Sequence, residues 1–176
     1  MPFEGIPVMP QGGRTGLVGG AATNPDSLIC DLGALDRIEE MDPVSSVAIV
    51  QAGVTLSVLQ EAARTFELDP AIDLAARGSA SVGGLISTNA GDIMALRAGV
   101  MRHRALGLEV VLPDRSIFRS LTRVMKTSAG YDLKHLFIGA EGMLGIVTRA
   151  VIKLESLVCA RPLWSAWTTR LGLNGS

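Results

Sequence analysis

The chain has 176 residues, 48% of them apolar, and a net charge of −1 at pH 7. That length holds one or two domains with a real core, and near-neutral charge argues against nucleic acid or an anionic membrane surface as partner. The low aromatic content, 4%, gives no base-stacking platform, and no apolar run approaches the roughly 20 residues of a membrane-spanning helix.

Residues 6–9 read as a short strand and residues 27–31 as a second. Residues 37–41 and 46–52 flank Asp42-Pro43, a turn signal, and are expected to form a hairpin. The clearest helix covers 55–66, where Leu56, Leu59, Ala62, Ala63 and Phe66 recur at three and four and Thr55 stands at the N-cap. A short helix is expected over 83–87. Residues 105–112 and 116–119 pair across Pro113-Asp114-Arg115, residues 131–137 read as a short helix, and 145–155 as a strand with Ile146, Thr148, Ala150, Ile152 and Leu154 on one face. Strands outnumber helices and hairpins recur, an α+β pattern. The chain opens almost directly on a strand and its tail, 163–176, shows no return to a sheet. It is expected to be cut at both ends. No basic, apolar leader follows Met1, and Cys30 and Cys159 read as buried, reduced thiols. The expected compartment is therefore cytoplasmic.

Two glycine-rich runs carry the chemistry. In residues 12–20, five of nine positions are glycine. Glycine has no Cβ and accepts φ > 0, so such a loop brings bare N–H groups against an anion. Arg14 stands where a dinucleotide fingerprint starting at Gly12 needs its second glycine, and no Gly-Lys-Ser/Thr occurs, so neither a Rossmann nor a Walker loop is present. The second run is GSASVGGLISTNAG at 78–91. Two such loops suggest a cofactor bearing a diphosphate, against the plainer alternatives of surface turns or another nucleotide. His103 and His135 lack carboxylates at metal-ligand spacing and read as structural or solvent-facing, with no metal site expected. Arg97, Arg102 and Arg104 could line a phosphate path, but read rather as a solvated face. A Ser128–His135–Asp132 triad has no nucleophile-elbow motif behind it.

Three motifs in order, PQGGRTGLVGGA (10–21), GSASVGGLISTNAG (78–91) and GYDLKHLFIGAEGMLGIVT (130–148), with LGLEVVLPD (106–114) between the last two, resemble the FAD-linked oxidases of the vanillyl-alcohol-oxidase type, in their D-2-hydroxyacid dehydrogenase branch. The resemblance covers roughly residues 5–154. It implies a PCMH-type FAD-binding domain of two α+β subdomains over 1–155, lacking its first segment, with 156–176 leading to an absent substrate domain. It implies that Gln11, Gly12, Gly13, Arg14, Thr15 and Gly16 line the FAD pyrophosphate. Gly78, Gly83, Gly84, Ser87, Asn89 and Gly91 would lie against the diphosphate and flavin side, and Glu141, Gly142 and Ile146 near the adenosine half. No His or Cys lies in either glycine loop, so non-covalent FAD is expected. The implied function is the FAD-binding portion of an oxidoreductase that passes hydride from a D-2-hydroxy acid to flavin N5. The base and substrate site would lie in the absent domain, so a small 2-hydroxy acid is a partner only if that domain is supplied. The alternative is a non-catalytic flavin- or nucleotide-binding module, or an inactive paralogue. The isolated chain is expected to self-associate. Within the match, Arg14 replaces a Gly or Asn, Asp92 and Arg115 each replace a Gly, and Leu85 replaces an Asn. Arg14 and Arg115 are therefore expected at φ > 0.

Overall fold

The computed structural model describes residues 5–125, 128 and 130–157; the expectations for Cys159 and for the tail from 158 onward lie outside them. Strand β1 (Val8–Gln11) runs parallel to β2 (Leu28–Asp31), Val8 facing Leu28 and Gln11 facing Asp31. Pro7 accepts a bond from the Leu28 N–H but has none to donate, so the strand starts later than the apolar run. Parallel neighbours need a crossover of a dozen or more residues, usually helical. Here residues 12–27 make it as a glycine-rich loop with no helix.

The expected hairpin forms from β3 (Ile38–Asp42) and β4 (Val47–Gln51), its turn held by the Asp42 Oδ1, which accepts the Val44 and Ser45 N–H groups at 3.0 Å each. Helix α1 (Leu56–Arg64) starts at Thr55, whose side chain accepts the Val58 N–H. It ends before Phe66, which lies half-exposed beyond it. Then follow β5 (Leu68–Asp69), α2 (Val82–Ser87), α3 (Ala95–Ala98), α4 (Met101–Arg104), β6 (Ala105–Val111), β7 (Ile117–Ser120), α5 (Lys134–Phe137), β8 (Ile146–Lys153) and β9 (Glu155–Ser156). The helix expected over 131–137 shrinks to α5, because residues 131–133 form a turn behind Gly130 at φ 75°. Arg115 takes φ 71° in the β6–β7 turn, as expected.

The main sheet is antiparallel in the order β3-β4-β8-β6-β7, with the late strand β8 at its centre. Leu56, Leu59 and Ala63 of α1 and Val82, Leu85 and Ile86 of α2 form one buried core with Val50, Leu108, Ala150 and Ile152 of the sheet. The single-face pattern expected along β8 is broken. Glu109 faces Arg149 but its neighbour Val110 faces Val147, so Thr148 is a bulge and Val147 shares the core with Ala150. On the other face a charge stripe crosses all five strands in sheet order. Glu39 bonds Gln51 (3.1 Å) and Arg149 (2.9 Å), Arg149 lies 3.8 Å from Glu109, and Glu109 pairs with Arg119 (2.6 Å). No helix among the described residues is long and apolar enough to cross a membrane.

Candidate functional site

The second glycine run is fixed from both sides. Residues 80–82 bridge residues 54–56: Leu56 N–H donates to Ala80 O and Val82 N–H to Val54 O, each at 2.8 Å. Ser81 caps α2, and Gly83 N–H donates to Ala52 O at 2.8 Å. A Cβ on Gly83 would lie 2.7 Å from the Ala52 Cβ, so this glycine seats the helix on β4. The first-turn donors of α2 are therefore satisfied within the protein.

The first glycine run is the opposite case. Among the described residues, nothing accepts a hydrogen bond from the N–H groups of residues 12–18. A Cβ on Gly13 would run into the Ser79 carbonyl and one on Gly12 into the Ser81 hydroxyl. Neither glycine, nor Gly16, has φ in the left-handed region. They permit close approach rather than unusual handedness. Gly19 takes φ 80°, and within residues 12–18 the left-handed residue is Arg14, at φ 53°, a conformation that costs a side chain with a Cβ about 1 kcal/mol.

The third run closes the far wall. Asn89, at φ 49°, accepts the Arg102 N–H on its Oδ1 at 2.9 Å. The Arg102 guanidinium donates to His135 O (3.0 Å) and Ile138 O (2.6 Å). Gly139 N–H then reaches Ile86 O (3.1 Å) and Glu141 N–H reaches Ser87 O (2.8 Å). Gly142, at φ 81°, lies where a Cβ would meet the Pro10 ring at 2.7 Å.

These three runs enclose a cleft of about 450 Å³. Gln11, Gly12, Gly13, Arg14, Thr15 and Gly16 line one side, Gly84, Ser87, Asn89 and Gly91 another, and Glu141 with Gly142 the end. Gly83 lies buried beneath it, Gly78 is exposed away from it, and Ile146 opens β8 without lining it. Leu17 and Ala90, within the two glycine motifs, and Leu74, outside them, supply apolar lining. The arginines expected on a solvated face are not all there: Arg104 is 2% exposed and Arg102 half-buried, and none of Arg97, Arg102 and Arg104 lines the cleft. Asp92 lies outside the lining, its carboxylate accepting the Met94 N–H at 2.8 Å and the Asp73 N–H.

The histidines stand apart from the cleft. His103 Nδ1 accepts the Val100 N–H at 3.2 Å. His135 lies 3.2 Å from Arg102 and 3.4 Å from Asp132. Desolvation and the Lys134 charge push its pKa down, keeping the ring neutral at pH 7. Desolvation pushes the Asp132 carboxyl up, but the bond and charge of Lys134 hold it below its ordinary range.

Arg14 and Glu141 are the only ionisable residues that line the cleft among those described. Gln11 is 3% exposed, its Nε2 donates to Ala21 O at 3.4 Å, and its Oε1 has no partner. Unopposed N–H donors, a cation and an unmet acceptor fit a ligand with a diphosphate and hydroxyl groups.

Fold and cleft thus define a mixed α+β domain for a diphosphate-bearing cofactor. The profile described as "FAD binding domain" matches residues 2–120, and the chain belongs to that family, with FAD as its cofactor. It is 46% identical over 147 residues to a probable mitochondrial D-2-hydroxyglutarate dehydrogenase of rice, covering 84% of this chain and 26% of the relative. It is 42% identical over 151 residues to the D-2-hydroxyglutarate dehydrogenase of Xanthomonas citri, covering 86% and 32%. A putative mitochondrial D-lactate dehydrogenase of Schizosaccharomyces pombe is 39% identical over 160 residues, covering 89% and 29%. The chain spans about a quarter to a third of these relatives' length. A solved alkyldihydroxyacetonephosphate synthase shares the PCMH-type fold, with a TM-score of 0.78 at 22% identity over 88% of this chain and 28% of that one.

The expected cytoplasmic placement is corrected by these relatives. Those from rice, cattle and Arabidopsis thaliana are named mitochondrial. Reduced thiols and near-neutral charge do not separate the two compartments.

Proposed function

We propose that residues 1–155 form the FAD-holding unit of a flavin-dependent dehydrogenase acting on a D-2-hydroxy acid, with 156–176 leading away from it. The observation that carries this is the row of unopposed N–H groups over residues 12–18, facing α2 across a cleft in a chain related to D-2-hydroxyacid dehydrogenases. Bound FAD supplies a two-electron acceptor whose N5 takes hydride from the alcohol carbon. The loop N–H groups hold the diphosphate, Ser87, Asn89 and Gly91 border the flavin side, and Glu141 and Gly142 border the adenosine half. Gln11 Oε1 accepts from a cofactor hydroxyl. Gly83 acts indirectly, by seating α2. Among the described residues the cleft lining has no histidine, lysine or aspartate, and its one carboxylate, Glu141, borders the adenosine half; on this reading the base that takes the substrate hydroxyl proton is not part of that lining.

That same lining favours a second reading, a module that binds flavin without turnover of its own. Reconstitution with FAD followed by gel filtration tests both. A retained flavin absorption band supports the FAD-holding unit, and its loss sinks it. A dye-linked assay with D-2-hydroxyglutarate, D-lactate and glycolate then separates them: turnover excludes the binding-only module.

A further inference from the structure

The first loop contains a mismatch between residue type and conformation. Its glycines at 12, 13 and 16 keep ordinary φ, while an arginine between them takes φ 53°. Backbone strain of this kind persists where the surroundings fix it, and it concentrates at ligand clamps. The Arg14 side chain is exposed and lines the cleft, and among the described residues it has neither an ion pair nor a hydrogen bond. Among the described residues it is also the only cation in that lining, opposed by one anion, Glu141.

We propose that the Arg14 guanidinium is itself a ligand of the cofactor diphosphate. The left-handed backbone sets the direction of its Cα–Cβ bond, and the planar fork takes two phosphate oxygens beside the N–H groups of the loop. This rests on the reading of the cleft as an FAD site and adds to it a side chain that sets affinity for the diphosphate. Without Arg14, the one charged side chain among the described residues of the lining is the Glu141 carboxylate, which repels that anion. The loop then holds FAD by N–H groups alone.

Two variants separate charge from conformation. Arg14→Asn removes the cation and relaxes the loop, because asparagine tolerates the left-handed region. Arg14→Gln removes the cation and keeps the strain. FAD titrations of the 176-residue chain and both variants, at low and moderate salt, are read alongside the thermal midpoints of the ligand-free proteins. Both variants are expected to bind FAD about tenfold more weakly or worse, with a flatter salt dependence. The Arg14→Asn midpoint is expected to equal or exceed that of the parent chain. Unchanged or tighter FAD binding by either variant overturns the proposal, as does a loss of binding that tracks a fall in the midpoint. A parent chain that holds no FAD overturns the reading of the cleft itself, and this inference with it.

Discussion

A Cβ on Gly13 would overlap the Ser79 carbonyl, whereas one on Gly16 would meet nothing within 4 Å. Both glycines have ordinary φ, so space alone distinguishes them. Gly13→Ala is expected to push the first loop off the second glycine run and weaken FAD binding by about tenfold or more, since a close-packed backbone contact has no slack. Gly16→Ala is expected to stay within about twofold. Titration with FAD checks both, and equal damage at the two sites contradicts the close-approach account. A second residue-scale case is Arg104, 2% exposed, which pairs with Glu155 at 2.6 Å. That bond holds the Glu155 carboxyl below its ordinary range, against partial desolvation. The folded carboxyl therefore ionises at lower pH than the unfolded one. Its contribution to stability is present above the unfolded pKa and is lost as pH falls through the lowered folded value. Glu155→Gln should cost about 2 kcal/mol at pH 7, because it replaces a charge-assisted bond to a buried guanidinium by a neutral one. The gap from the parent chain should narrow below about pH 4. Denaturant melts from pH 7 to pH 3 measure this, and a gap independent of pH would contradict it.

At the scale of elements, Arg102 ties α4 to the end of α2 through Asn89 and to α5 and its exit through the His135 and Ile138 carbonyls. Those ties set the wall of the cleft from Ser87 to Asn89 and from Glu141 to Gly142. Arg102→Met keeps the stem but leaves two carbonyls without their donor. It is expected to lower stability by about 2 kcal/mol and to weaken FAD binding by more than that stability loss accounts for. Melts and FAD titrations on one sample decide, and unaltered FAD affinity in a destabilised variant would reduce Arg102 to a packing role. Nothing in the sequence singled out Arg102, because its partners lie 33 and 36 residues away and its neighbours are also basic. Local signals were legible: Thr55 and the three-and-four spacing gave α1, and Asp42-Pro43 gave the β3–β4 hairpin. The Thr148 bulge was not, because alternation from Ile146 to Leu154 looks unbroken until β6 fixes the register. Two walls of the cleft were legible as glycine-rich runs, since a Cβ-free loop is a local property, and the third only through the resemblance. Residue type could not separate Gly83, packed on Ala52, from Gly84, which lines the cleft. The left-handed backbone at Arg14 was legible only through the resemblance, which places a Gly or Asn there.

Across the whole molecule, the two sheets manage their edges differently. The outer strands of the main sheet carry charges, Glu39, Glu40 and Asp42 on β3 and Arg119 on β7, which discourage edge-to-edge pairing. The β1–β2 ribbon carries less: Pro10 within β1 and one charge, Asp31, at the end of β2. Among the described residues its two strands pair only with each other, and a two-stranded sheet is marginal alone. Its flanks expose Val8 (49%), Leu28 (41%) and Ile29 (50%), and Leu17 beside it is fully exposed. Apolar surface on an open edge promotes association. The 176-residue chain is therefore expected to self-associate at micromolar concentration, and Val8→Lys with Ile29→Lys to shift it toward monomer. Neither position lines the cleft, so FAD binding should survive the double substitution. Light scattering with and without FAD measures both effects. A parent chain that is monomeric throughout contradicts the edge argument. A double variant that stays associated moves the contact to another surface.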